Sequence, residues 1–305
     1  MVSRRIAVAP DSRGAPALRE AVIEAGGTVC EPSNAEGIIW TKYSEPEGLA
    51  RILTEVPTLS WVSLPHSGIE PYVPYLDARR VWTCARGIYS RPVAEMAIAM
   101  GLAGLRGLVG YARETSWSQK VGLNLVDGRV TILGAGGIAT EIVEQLSGLG
   151  CHITVVRNRA VDFAGADVTL GFEDRHQSLP DADLVIIALA LTPVTRGIMG
   201  AAEFEAMKTT GWVINVGRGS HIVTNELISA LDSRQIGGAC LDVTDPEPLP
   251  DGHPLWTKPN VLITPHTGNT PEMAFPLFLE HLKRNVKLFC AGETLEGVVD
   301  VEAGY

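Results

Sequence analysis

A chain of 305 residues is too long for one ordinary core and suits two domains, each able to bury its own apolar side chains. Hydrophobic residues make up 46% and charged residues 20%, which excludes long disordered tracts, and a net charge of −10 with no basic cluster excludes a nucleic-acid surface. The five cysteines, Cys30, Cys84, Cys151, Cys240 and Cys290, are widely spaced and form no C-x-x-C pair, which fits a reduced, cytoplasmic setting.

In chain order, the opening MVSRRIAVAP has an apolar run too short for a signal peptide, and IAVAP reads as a strand. ALREAVIEAGG follows as a helix closed by glycine, EGIIWT as a strand and GLARILTEV as a second helix. The strand-like LSWVS leads into the loop SLPHSGIE, Ser63 to Glu70. A second loop, CARGIYSRPVAE, runs from Cys84 to Glu95 and enters a helix with Pro92 in its first turn, where the missing N–H costs nothing.

That helix, expected from Pro92 to about Glu114, holds Gly101, Gly104, Gly107 and Gly110. Glycine weakens a helix interior, so four of them point to close approach of another backbone, inside one subunit or across a dimer contact. The stretch Ala94 to Gly110 is the most apolar in the chain, but Glu95 and Arg106 interrupt it and it is too short to span a membrane.

The sequence VTILGAGGIAT, Val130 to Thr140, changes from a β-forming run to an amphipathic helix at Gly134. Gly134, Gly136 and Ala139 form the G-x-G-x-x-A spacing of a dinucleotide site. The first residue makes the turn, the second lets backbone approach a pyrophosphate, and the third lets helix and strand pack. Gly136, Gly137 and Ile138 open the helix, whose N-terminal amides favour phosphate. Asp127 and Gly128 read as the turn before this strand.

In NAD-binding versions of this arrangement the next strand ends in an acid that takes the ribose hydroxyls. Here the strand is CHITVVRNR, with Arg157 at that position, Asn158 and Arg159 after it, and no acid before Asp162. Two cations and a hydrogen-bonding amide make a phosphate clamp, so NADP(H) is the expected cofactor, with NAD(H) as the alternative.

The βα rhythm continues through DADLVIIALAL, WVINVG, GGACLDV and VLITPH, with EFEAMK and NELISALDS as helices between them. Continuously apolar strands alternating with helices specify a doubly wound parallel sheet, of Rossmann type. PEMAFPLFLEHLKRNVKLFCAGE then reads as one long amphipathic helix. At the ends of the late strands stand Arg218, Glu247 and His266, where ligands of open α/β sheets bind. Arginine grips a carboxylate, histidine exchanges a proton near neutral pH, and a carboxylate beside it favours the imidazolium: a kit for reducing a keto acid.

The series NVGRGSHIVTNELISALDSRQIGGACLDVTDPEPLPDGHPLWTKPNVLITPH resembles the second signature region of the D-isomer-specific 2-hydroxyacid dehydrogenases, and DADLVIIALALTPVTRGIM resembles the segment before it. The ordered set R-G, D-V-x-x-x-E-P, P-L-W and P-H carries the resemblance, strongly over Val93 to Thr270. It implies a dinucleotide-binding Rossmann domain at 97–270 and a smaller flavodoxin-like substrate domain formed by 1–96 and 271–305. It implies a likeness to the glyoxylate and hydroxypyruvate reductase branch, reducing a small 2-oxo acid to the D-2-hydroxy acid. Arg218 would bind the substrate carboxylate and carbonyl, His266 would be the acid–base and Glu247 its support. Asp242 would hold the nicotinamide carboxamide with Val93 packed near the ring, and His66, Ser67, Gly68 and Ile69 would form the loop that receives the substrate carboxylate. Closure of one domain on the other would keep water from the hydride.

The same resemblance implies a homodimer and places Trp117 packed against its domain. His152, His176, His221, His253 and His281 read as structural or exposed. Arg86 and Arg91 read either as solvated or as contacts for a second anionic group on the substrate. Two other functions stay open: a 3-phosphoglycerate dehydrogenase-like oxidation, against which stand the missing acid and the lack of an appended domain, and a non-catalytic, nucleotide-sensing corepressor-like protein.

Overall fold

In the computed structural model, which describes residues 3–302, the chain divides into two units. One takes the chain up to Tyr89 and again from Thr270, and the other is the contiguous stretch Ser90–Asn269.

The first unit begins with β1 (Arg5–Ala9), α1 (Ala15–Glu24), β2 (Thr28–Val29), β3 (Gly37–Trp40), α2 (Pro46–Glu55), β4 (Trp61–Ser63) and β5 (Val81–Thr83). Its strands are all parallel in the order β2-β1-β3-β4-β5, which is the flavodoxin-like arrangement. Successive residues of a strand face opposite sides, and β1 serves two cores accordingly. Ile6 and Val8 pack with Leu18 and Val22 of α1, while Ala7 and Ala9 pack with Leu49 and Leu53 of α2. Burial on both faces is why β3 reads GIIW, with no polar alternation.

The second unit runs α3 (Ser90–Leu105), α4 (Leu108–Tyr111), β6 (Arg129–Leu133), α5 (Gly137–Leu146), β7 (His152–Arg157), β8 (Val168–Gly171), β9 (Leu184–Ile187), α6 (Ala201–Ala206), β10 (Trp212–Asn215), α7 (Thr224–Asp232), β11 (Gly238–Leu241) and β12 (Val261–Ile263). Its seven parallel strands follow the order β12-β11-β10-β9-β6-β7-β8. Strand order therefore reverses between β6 and β9, the switch point at which such sheets bind ligands. Here too the two faces divide the strands. Leu184 and Ile186 of β9 face one core with Ala139 and Ile142 of α5, and Val185 and Ile187 face the other with Leu227 and Leu231 of α7.

The helix expected to continue to Glu114 stops at Leu105, because Gly107 takes a left-handed conformation (φ 70°) and α4 restarts after it. Gly101 and Gly104 are explained within the chain. A Cβ there would come within 2.9 Å of Leu184 and 2.5 Å of Trp212, so these glycines let α3 lie flat on the sheet.

Trp117 is not packed against its domain: it is 96% exposed, and Val121, Leu123 and Val126 near it are also exposed. Residues 115–128 form no helix or strand, and the segment is tethered where the Val121 N–H donates to the Tyr111 hydroxyl at 2.6 Å.

The last helix, α8 (Pro271–Ala291), belongs to the first unit. Phe278, His281, Leu282, Asn285 and Val286 are buried along one stripe at helical spacing, and Phe278, Leu282 and Val286 complete the core that contains Ile6, Val8 and Leu18. Among the described residues no helix is long and apolar enough to cross a membrane.

Candidate active site

The glycine turn lies at the switch point. Gly134 follows β6 with φ 127°, and a Cβ there would come within 2.4 Å of the Ala188 carbonyl oxygen beyond β9. No side chain other than hydrogen fits. Gly136 is the opposite case: it is exposed, and a Cβ there would meet nothing within 4 Å. The packing of the chain does not need this glycine, and its lack of a side chain leaves the backbone open to a ligand. No side chain caps the start of α5, Gly137 is exposed and Ile138 half-buried, and Ala139, fully buried, joins the core beneath. The arrangement fits a pyrophosphate on the helix N-terminus.

Arg157 ends β7, half-buried, and its Nη1 donates to the Val161 carbonyl at 3.1 Å; Asn158 and Arg159 follow, exposed. That bond orients one side of the guanidinium along the loop. The turn and this cationic strand end are carried by adjacent parallel strands, β6 and β7.

Three further strands, β10, β11 and β12, lie side by side and deliver the chemical groups at their carboxyl ends. Arg218 leaves β10 in extended conformation (φ −137°, ψ 146°), with Nη1 donating to the Gly217 carbonyl at 2.9 Å. His266, in the loop after β12, has φ 52°, a left-handed conformation uncommon outside glycine. Its Nδ1 lies 2.7 Å from Oε1 of Glu247. An ionised carboxylate can only accept, so Nδ1 carries the hydrogen in this contact and Nε2 is the ring nitrogen that Glu247 does not engage.

Asp242, 3% exposed, is what fixes the His266 loop. Its Oδ1 accepts from the Thr264 hydroxyl at 2.5 Å and the Thr267 N–H at 2.8 Å, its Oδ2 accepts from the Gly268 N–H at 2.9 Å, and its backbone carbonyl accepts from the His266 N–H at 2.8 Å. Val93, half-buried on α3, lies beside that loop, 3.6 Å from where a Gly268 Cβ would be. Among the described residues no group of three or more His, Cys, Asp or Glu side chains could hold a metal.

Residues 97–268 match the profile of the D-isomer specific 2-hydroxyacid dehydrogenase NAD binding domain. The chain belongs to this family. Its members are NAD(P)-dependent oxidoreductases. An uncharacterized protein of Corynebacterium melassecola, encoded 3′ of proB, is 37% identical over 295 residues, covering 93% of this chain and 95% of that protein. Glyoxylate/hydroxypyruvate reductase A of Photorhabdus laumondii is 34% identical over 222 residues, 69% of this chain and 68% of that one. Among solved structures, the D-isomer specific 2-hydroxyacid dehydrogenase of Xanthobacter autotrophicus, crystallised with NADPH and MES, superposes with a TM-score of 0.84 at 26% identity over the whole of both chains.

In the first unit of this family member, the loop after β4 presents His66 and Ser67 exposed, Gly68 half-buried and Ile69 buried. The Tyr43 ring meets the His66 ring edge-on, centroids 4.7 Å apart, and the Tyr89 hydroxyl donates to the Pro65 carbonyl at 2.8 Å. These contacts hold the loop from both sides. Arg86 and Arg91 are both exposed. Asn215 and His221 are both fully buried beside Arg218; His221 was read from the sequence only as structural or exposed, and Asn215 was not singled out. The signal available was the abrupt polar Asn at the end of the apolar run WVIN.

Proposed function

We propose that the protein reduces a small 2-oxo acid of the glyoxylate or hydroxypyruvate kind to the D-2-hydroxy acid, using NADP(H) in preference to NAD(H). The observation that carries this reading is the His266–Glu247 pair, 2.7 Å apart, on the strand edge that also presents Arg218. The reductase name of the Photorhabdus relative and the NADPH in the Xanthobacter structure support the substrate class and the cofactor.

The nicotinamide, when bound, supplies a hydride to the carbonyl carbon. His266, as the imidazolium, gives the Nε2 proton to the carbonyl oxygen and is left neutral with its remaining hydrogen on Nδ1, where Glu247 orients the ring. Arg218 holds the substrate carboxylate and the carbonyl oxygen with its planar fork. In the first unit, backbone amides of His66, Ser67, Gly68 and Ile69 receive the carboxylate. Gly134, Gly136, Gly137 and Ile138 take the pyrophosphate, and Arg157, Asn158 and Arg159 take a 2′-phosphate. Asp242 and Val93 stand by the nicotinamide. In this scheme 97–270 is the dinucleotide-binding domain and 1–96 with 271–305 the substrate domain.

We also propose that the protein works in the cytoplasm as a homodimer and binds no nucleic acid. Support for the dimer is the exposure of four large apolar side chains, Trp117, Val121, Leu123 and Val126, within one short loop segment, since clustered exposed apolar residues mark an interaction site.

The test of the reaction is loss of reduced-nicotinamide absorbance with glyoxylate, hydroxypyruvate, pyruvate and longer 2-oxo acids, each with NADPH and with NADH. Turnover of a short 2-oxo acid that disappears in His266→Asn is the expected result; no turnover across the panel with either nucleotide overturns the reading.

A further inference from the structure

Arginine is long and flexible, so an arginine that must meet a substrate carboxylate at a fixed point needs its backbone held. Around Arg218 that backbone is bonded on both sides by buried side chains. The Arg218 N–H donates to Nδ1 of His221 at 3.0 Å, and the Arg218 carbonyl accepts from Nδ2 of Asn215 at 2.9 Å. Oδ1 of Asn215 accepts from the Gly217 N–H at 3.0 Å, so one amide side chain spans the loop from Gly217 to Arg218. Both side chains have no solvent exposure, and water cannot replace either.

His221 is an unusual choice for a core position. Its other ring nitrogen, Nε2, is buried as well, and burying polar atoms costs desolvation that an apolar side chain would not. The imidazole also packs so closely on the loop that a Cβ at position 217 would come within 2.9 Å of Nδ1. Gly217 and His221 are thus fitted to each other. Gly219 on the other side is closed off by the Thr244 carbonyl, 1.9 Å from where its Cβ would be.

We propose that His221 and Asn215 are positioning residues that set the aim of Arg218 by bonding its backbone N–H and carbonyl from inside the core. The proposal rests on the reading of Arg218 as the anchor of the substrate carboxylate. His221 serves because its unprotonated Nδ1 is a pure acceptor at the end of a rigid ring. Burial above all, with the charges of Arg218 and Arg196 adding to it, lowers its pKa below the ordinary value, which keeps that nitrogen unprotonated at neutral pH.

The test uses the full-length enzyme with glyoxylate and NADPH. His221→Leu keeps volume and removes the acceptor, whereas His221→Asn returns an oxygen near the position of Nδ1. His221→Leu is expected to lower kcat/KM for glyoxylate by about 10–100-fold, the scale of a misplacement of about 1 Å, mainly through KM, while the KM for NADPH stays unchanged. His221→Asn is expected to recover most of the loss, and adding His221→Leu to Arg218→Ala is expected to cause no further loss. NADPH binding by fluorescence reports that each variant is folded. Should His221→Leu not fold, Asn215→Ser is read in the same way. If Arg218→Ala impairs glyoxylate use and a folded His221→Leu or Asn215→Ser does not, the positioning proposal is overturned. If Arg218→Ala leaves the KM for glyoxylate unchanged, it is the reading of Arg218 itself that fails.

Discussion

Nδ1 of His266 and Oε1 of Glu247 meet at 2.7 Å although 19 residues separate them and both side chains are about half exposed. An exposed carboxylate–imidazole contact contributes little to folding, because solvent screens the pair and ordering the two side chains opposes it. Its value lies in orientation. Glu247→Gln should therefore leave Tm nearly unchanged and lower kcat for 2-oxo acid reduction by about ten-fold or more, and His266→Asn by about 10²–10⁴-fold, the usual range for an acid–base group. Steady-state kinetics beside a thermal melt check both; equal losses of Tm and kcat in Glu247→Gln would refute the orienting role.

Gly134 and Gly136 should respond oppositely to the same substitution. Gly136→Ala places its Cβ in open space, so the fold should hold while the KM for the dinucleotide rises at least several-fold. Gly134→Ala forces a Cβ to 2.4 Å from the Ala188 oxygen at φ 127° and should destabilise the protein by about 1–3 kcal/mol. Melts with and without NADPH separate the two, because ligand raises Tm only where it still binds.

Cofactor choice is expected to turn on Arg157, at the end of β7. Arg157→Asp should cut kcat/KM with NADPH by at least about ten-fold and raise it with NADH, since a carboxylate repels the 2′-phosphate and accepts from the ribose hydroxyls. Wild-type kcat/KM with NADH equal to that with NADPH would remove the basis for this prediction.

Two histidines, His221 and His281, are buried, and for each it is chiefly burial that holds the pKa below the ordinary 6.5. In the unfolded chain both take up protons near 6.5, before the folded protein does. The unfolded state then binds more protons, so stability is full above that pH and is lost as pH falls through and below it. Tm should decline on acidification from pH 7 to 5, and His281→Gln, measured over the same range, should show a shallower decline.

Trp117 predicts assembly. If it and its exposed apolar neighbours bind a second copy, sedimentation at micromolar concentration should show a dimer, and Trp117→Asp with Val121→Asp should give a monomer that still binds NADPH. A wild-type monomer at that concentration would exclude this surface as a stable dimer contact.

Much of the architecture was legible because both sheets are covered on two faces. That makes strands such as GIIW and LVII continuously apolar, and the change of period at Gly134 is visible in one line of sequence. The strand-end positions of Arg218, Glu247 and His266 were equally readable. What escaped was set by tertiary contact. The break of α3 at Gly107 depends on a left-handed residue that a helical pattern does not reveal, and the exposure of Trp117 ran against the packed position that the family resemblance implies. Asn215 and the bond from His221 to Arg218 escaped because their partners are backbone groups of the Gly217–Arg218 turn between them, which leave no pattern in the sequence. Asp242 was read as facing a cofactor, and its ties to the Thr264–Gly268 loop required coordinates.

The return of the chain to the first unit through α8 has a consequence for synthesis. Ser90–Asn269 is one uninterrupted stretch, and among the described residues its hydrophobic cores are built from its own side chains. The core around Ile6 and Val8, by contrast, uses Phe278, Leu282 and Val286. On the ribosome the unit that begins first must therefore finish last. Its opening strands emerge with an apolar face that α1 covers only in part until roughly 270 further residues have been made, at about 5–20 residues per second.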